Sequence, residues 1–193
     1  MAQDYSFEDI KKFQLGQVEA FERIMRAEGP RLLNYIKCQV RRVEIAEEIF
    51  QETCLRLWEN RESLRQPAQF LGWMYQIARS VVFHVLRRKE WSLNIQLFSE
   101  LADWPEFESN DKDARNTAEL KRLKYILSQE IQALDQEARE LILLRFMTEM
   151  KIVEIATALN MSVGSVSMKL ASSLKKMRAA LREQGIEIRS FYL

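Results

Sequence analysis

Apolar residues recur at intervals of three and four along most of the chain, the period of helices that each bury one face. The pattern is clearest near the C-terminus, where Ile152, Ile155, Ala156 and Leu159 share a stripe and Asn160 interrupts it. Ser162 is placed to cap a second helix, its hydroxyl accepting a hydrogen bond from a backbone N–H that the first turn leaves free. That helix carries Val166, Leu170, Leu174, Met177 and Leu181 on one face, with Ser165, Ser167, Met168, Lys169, Ser172, Lys175 and Lys176 off it. A short helix, a tight turn and a longer polar-faced helix have the layout of a helix-turn-helix, whose second helix enters the DNA major groove. An αα-hairpin that only packs has the same spacing, so the pattern leaves both open.

Upstream, Phe7 to Arg26 reads as one or two amphipathic helices with Gly16 as the break. Gly29-Pro30 is expected to end that region, with Pro30 in the first turn of a helix burying Leu32, Leu33, Ile36 and Val40. From Glu44 to Trp58, the residues Ile45, Ile49, Cys54, Leu57 and Trp58 turn inward, while Glu44, Glu47, Glu48, Gln51, Glu52 and Arg56 form an acidic outer face. Asn60 to Gln66 is a polar break, and Pro67 opens a long helix with Phe70, Trp73, Met74, Ile77, Val81 and Val85 on its buried stripe. Ser92 to Asn116 lacks periodicity and reads as a linker. Thr117 is expected to cap a helix carrying Leu120, Leu123, Ile126, Leu127 and Ile131, and Asp135 to precede another. The expected architecture is all-α, with two small helical domains joined by an acidic linker, the second a four-helix domain with the helix-turn-helix.

Composition supports this picture and narrows the chemistry. The hydrophobic fraction is 47%, Gly and Pro are few, and alternating strand patterns are scarce. No apolar run reaches the ~18 residues of a membrane span. Met1 to Glu8 carries Asp4 and Glu8 and lacks a secretion signal, so a cytoplasmic location is expected. Two cysteines, Cys38 and Cys54, and one histidine, His84, are too few for a typical zinc site, and no nucleophile–base constellation can be assembled. Neither a catalytic site nor a metal or cofactor is expected. The formal net charge of +1 hides a division: residues 92–117 carry six acids against Lys112 and Arg115, a net of −4, while residues 162–182 carry five bases and no acid. A cationic recognition helix suits phosphate neutralisation, though a solvated basic face looks the same. Arg79, Arg87, Arg88 and Lys89, with Tyr75 and Trp91, suit single-stranded DNA. Phe70 and Trp73 fit equally well as core.

Three stretches together resemble the extracytoplasmic-function sigma factors of bacterial RNA polymerase, over roughly residues 17–91 and 118–182. Ala46 to Trp58 is similar to the region-two segment that docks on the β′ clamp helices. Phe70 to Arg79, followed by Leu86-Arg87-Arg88-Lys89, resembles the promoter-melting and minus-ten-reading segment. Leu134 to Arg178 resembles region four, which reads the minus-thirty-five element and touches the β flap. The resemblance implies region two over 1–91, a linker over 92–117, region four over 118–183 and a tail over 184–193. It assigns polymerase docking to Glu47, Glu48, Gln51, Glu52 and Arg56. Minus-ten contacts fall to Asn60, Arg61, Ser63, Arg65, Trp73, Tyr75, Arg79, Ser80, Arg87, Arg88 and Lys89. Minus-thirty-five contacts fall to Ser162, Ser165, Ser167, Met168, Lys169, Ser172, Lys175 and Lys176. Ser80 stands where the family commonly has Asn, which leaves the minus-ten base preference open. Core RNA polymerase, promoter DNA and an anti-sigma protein are the implied partners. The competing reading is a helix-turn-helix regulator that binds duplex DNA without polymerase.

Overall fold

The computed structural model describes residues 5–40, 42–93 and 114–186. The expected acidic linker falls mainly on residues 94–113 and the tail on 187–193, both outside the described residues. Among the described residues every regular element is helical: α1 (Phe7–Gln14), α2 (Val18–Lys37), α3 (Val43–Glu59), α4 (Phe70–Leu93), α5 (Ala114–Ala133), α6 (Gln136–Phe146), α7 (Ile152–Leu159) and α8 (Val163–Glu183).

Capping and turn chemistry set most boundaries. Ser6 and Asp9 form a reciprocal capping box at the start of α1. Gly16, at φ +80°, supplies the left-handed residue that turns the chain into α2. Short 3-10 turns at Arg61–Ser63 and Pro67–Gln69 carry the chain from α3 into α4. The Asp135 side chain accepts from the Ala138 N–H at 2.9 Å to open α6, and Ser162 does the same for Ser165 at the start of α8. Asn160 ends α7 in the left-handed conformation, which Asn tolerates better than most residues.

Two boundaries depart from the sequence reading. Pro30 does not start a helix; it sits inside the continuous α2. An interior proline lacks the N–H that would bond four residues back and costs about 3 kcal/mol. Burial offsets this, because Ile24, Leu32, Tyr35 and Ile36 are enclosed on both sides of the proline. Thr117 does not cap α5 but lies in its first turn, since the helix begins at Ala114 and nothing between them breaks it.

Helices α1 to α4 surround an aromatic centre in which Phe13 stacks on Phe21 at 5.2 Å and meets Phe70 edge-on at 6.1 Å. Helices α5 to α8 form the second group, and α8 buries the full expected stripe of Val166, Leu170, Leu174, Met177 and Leu181. The two groups touch along α4 and α7, the most extensive pairing between any two helices. Their buried side chains merge into one apolar cluster.

Candidate nucleic-acid and polymerase interface

The first candidate surface is the outer face of α3. Glu44, Glu47, Glu48 and Gln51 are exposed, and Glu52 pairs with Arg56 at 2.8 Å, one turn apart. Leu55 stands among them 59% exposed, and the sequence reading missed it. The clue was available: Leu55 falls off the inward stripe of Ile45, Ile49 and Leu57, and shares a face with Glu48 and Glu52.

The second surface is the loop between α3 and α4 with the exposed part of α4. Asn60 and Arg65 are exposed, although the Asn60 amide also donates to the Arg56 carbonyl at 2.8 Å. Arg61 is half-buried, donating to the Trp58 carbonyl at 2.8 Å and lying 5.0 Å from the centre of the Trp58 ring. The Trp73 indole donates to the Ser63 hydroxyl at 3.1 Å, so these two predicted contacts hold each other. Ser80, Arg87 and Arg88 are exposed on α4, while the Lys89 side chain lies outside the described residues.

Two members of the predicted minus-ten set lie elsewhere. Tyr75 is 1% exposed, its ring edge-on to Tyr35 at 5.2 Å. Its hydroxyl is buried without a hydrogen-bond partner among the described residues. Arg79 donates from Nε to both carboxylate oxygens of Glu140, at 2.9 and 3.0 Å. In this conformation Tyr75 is closed to a nucleic acid, while the Arg79 side chain keeps 36% exposure beside its pair with Glu140. The physical reason is α7 and α6, which cover the side of α4 that local periodicity reads as solvent-facing.

The third surface is the outer side of α8. Met168 is 71% exposed, and Ser172, Lys175 and Lys176 are exposed beside it. Ser165 and Ser167 are half-buried, Ser167 donating to the Val163 carbonyl at 3.0 Å. Ser162 is occupied as the cap. Lys169 forms an ion pair with Glu137 of α6, which leaves Lys175 and Lys176 as the exposed cations of the predicted set nearest the middle of this helix.

The family description Sigma-70 region 2 matches residues 24–92, and Sigma-70, region 4, matches residues 125–177. The chain belongs to the sigma-70 family. Among its relatives, the ECF RNA polymerase sigma factor SigW of Bacillus subtilis is 24% identical over 90% of this chain and 95% of its own length. The RNA polymerase sigma factor CarQ of Myxococcus xanthus is 22% identical over 93% and 99%. Two solved structures share the fold. CnrH, solved in complex with the cytosolic domain of CnrY, aligns with a TM-score of 0.65 at 18% identity, over 94% of this chain and 99% of that one. RpoE of Bartonella quintana, solved with the anti-sigma factor NepR, aligns with a TM-score of 0.65 at 15% identity, over 85% and 98%. With both region matches and the ECF sigma factors SigW and SigL among its relatives, the sigma factor is of the extracytoplasmic-function type. Among the described residues no group of His, Cys, Asp or Glu is arranged to hold a metal, and no helix is long and apolar enough to cross a membrane. Both cysteines are free thiols, and burial pushes Cys38 up to about 12 and Cys54 up to about 11.

Within the sigma factor the contact between the two matched regions is polar at its edges. Glu140 is 5% exposed and also accepts from the Tyr35 hydroxyl at 2.9 Å. Arg31 of α2 approaches Glu149, beyond α6, at 3.5 Å. Glu28, 3% exposed on α2, is held above the usual carboxylate range by burial, with the Tyr5 hydroxyl and Arg31 opposing that shift and Glu154 of α7 adding to it. Its contribution to stability is therefore full below the ordinary value of 4.5 and is lost as pH rises through its raised value. Glu28→Gln keeps an acceptor for Tyr5 and removes the buried charge. We expect it to melt higher than the native chain near ~pH 8, by roughly 2–4 °C per kcal/mol recovered, with the gap closing towards ~pH 4. Parallel melting curves of the two proteins across that range would contradict the assignment.

Proposed function

We infer that this sigma factor joins core RNA polymerase and directs it to initiate transcription at specific promoters, with no catalytic activity of its own. The observation that carries this reading is the presence of both sigma regions, in order, within one chain. A helix-turn-helix regulator acting without polymerase leaves the region 2 match without a role. The division of labour follows from the surfaces. The acidic face of α3, centred on Leu55, docks on a basic partner surface of the polymerase, where charge complementarity steers approach and fixes register. The α3–α4 loop and the basic part of α4 take the opened minus-ten strand, reading a base taken out of the stack and holding phosphates with Arg87 and Arg88. Helix α8 lies in the major groove of the minus-thirty-five duplex, with Met168 placed to meet a thymine methyl and Lys175 and Lys176 set against phosphates. An anti-sigma protein is the natural inhibitory partner, as the complex of the sigma factor RpoE with the anti-sigma factor NepR suggests. The working location is the cytoplasm, where the polymerase is.

Run-off transcription with reconstituted core enzyme on a genomic promoter library tests the reading. New start sites that require this chain are expected; failure to join the core, with unchanged start sites, would overturn it. A second measurement addresses α8. Replacing Lys175 and Lys176 by Ala should weaken duplex binding about equally across sequences and reduce the slope of log affinity against log salt by about 2. Lys169, already paired with Glu137, should contribute less to that slope. An unaltered slope in the double variant would mean that this helix does not track phosphates.

A further inference from the structure

We propose that the cavity bounded by α4, α6 and the end of α2 is a binding site for a small organic anion, an aromatic monocarboxylate about the size of benzoate. Its occupancy can be tested without polymerase or promoter.

Size and walls come first. The cavity measures about 230 Å³. A water molecule takes up ~30 Å³ of liquid, and an apolar cavity of ~150 Å³ already binds benzene. One six-membered ring carrying a carboxylate is therefore of the right size. Val82, Phe83 and Leu86 of α4 supply an apolar wall, and polar side chains meet it from the other helices. A few polar groups converging on an apolar wall is the usual form of a small-molecule site. The Arg79 side chain at its edge is 36% exposed, so a ligand can enter from solvent.

Two further observations set the chemistry of the ligand's head. One is an unused donor. Gln39 lines the cavity, and its buried Nε2 has no hydrogen-bond partner among the described residues. A buried amide left unpaired has given up its hydration for nothing, and an acceptor held in the cavity restores the bond. The other is charge. Two guanidiniums, Arg79 and Arg139, line the cavity against one carboxylate, Glu140, which leaves one positive charge in excess. The carbonyls that Arg139 reaches are neutral, so they satisfy its N–H groups without cancelling its charge. Glu140 is already engaged by the Tyr35 hydroxyl and by Nε of Arg79. Arg79 spends only Nε on that pair and lies over the Phe83 ring at 4.9 Å. It is thus held in place with its two terminal nitrogens directed to no other carboxylate among the described residues. A planar guanidinium fixed in advance binds a carboxylate at little cost in lost freedom. The same field opposes a cation of equal size.

Titration of the full chain with sodium benzoate tests this, followed by calorimetry and by the side-chain amide signals in proton–nitrogen correlation spectra. Saturable binding is expected, with a dissociation constant on the order of 1 mM or below, the range open to so small a ligand. The Gln39 side-chain amide should shift along with it. Benzamide keeps the ring and an acceptor but loses the charge, and should bind about tenfold more weakly. Benzylamine should not bind. Sodium acetate, an anion without the ring, should leave the Gln39 amide in place. Gln39→Leu removes the donor and keeps the bulk; it should weaken benzoate about tenfold and melt no lower than the native chain. Val82→Phe fills the space and should abolish binding; if that variant does not fold, Gln39→Leu decides alone. No saturation by about 10 mM benzoate would overturn the proposal, as would native affinity in Gln39→Leu. Equal binding of benzoate, benzamide and benzylamine would reduce the cavity to a gap that takes any ring, and an equal response to acetate would remove the role of the apolar wall; either result sinks the site as described.

Discussion

Arg139→Ala should lower the stability of the sigma factor by about 3 kcal/mol, which for a chain of this length is a fall of roughly 6–12 °C in melting temperature. Arg139 is 8% exposed and carries its guanidinium into the end of α5. It donates to the Ile131 carbonyl at 3.1 Å, the Gln132 carbonyl at 2.6 Å and the Leu134 carbonyl at 2.9 Å. The last carbonyls of a helix have no partner within it, and a buried one left unsatisfied costs about 1–3 kcal/mol. One side chain therefore closes α5 and fixes the turn into α6, at whose start Asp135 caps the backbone. Arg139→Lys should recover only part of the loss, because an ammonium lacks the planar fork that reaches several carbonyls. Urea titration gives the magnitude, and hydrogen exchange should show the amides of α5 losing protection first. A loss below about 1 kcal/mol would mean that water replaces the guanidinium without cost.

Arg139 also marks where sequence reading stops. The helix-turn-helix was legible because its signals are local: the Ser162 cap, the left-handed Asn160 and the α8 stripe all act within a few residues. Helix α6 gives a local signal for its start, the Asp135 cap, but none for its burial. Ala138, Arg139, Glu140, Leu141, Ile142, Leu143 and Leu144 are all buried, so this helix is enclosed on every side. Two charged residues in that run read as solvent-facing: Arg139 turns back to carbonyls five to eight positions before it, and Glu140 finds its guanidinium 61 positions away at Arg79. Tyr75 fails for the same reason. It sits beside the stripe of Met74, Ala78 and Val81, and a helix covered from a second side buries a second stripe. The error at Pro30 is of a different kind. Glu28 interrupts the apolar spacing between Ile24 and Leu32, so the local Gly29-Pro30 breaker signal stood unopposed until burial of all three showed the helix continuous. The acidic face of α3 was legible in full except for Leu55, the apolar residue on it.

That face yields the second large effect. Reversing Glu48 and Glu52 to Lys should weaken binding to core RNA polymerase about 100-fold, close to 2.7 kcal/mol. The fold should be little affected. Glu48 is exposed, and the Glu52–Arg56 pair that is lost lies one turn apart at the surface, where such pairs are worth at most about 1 kcal/mol. The kinetics distinguish charge from apolar contact. Charge reversal at the rim of an interface acts mainly on the association rate and its salt dependence, because like charges then oppose approach. Leu55→Ala should instead speed dissociation with little change in association, since it removes apolar area that is buried only once the partners have met. Stopped-flow binding to purified core enzyme at two salt concentrations reads both rates. Native association and dissociation in the double reversal, with circular dichroism unchanged, would place the polymerase contact on another surface of the chain.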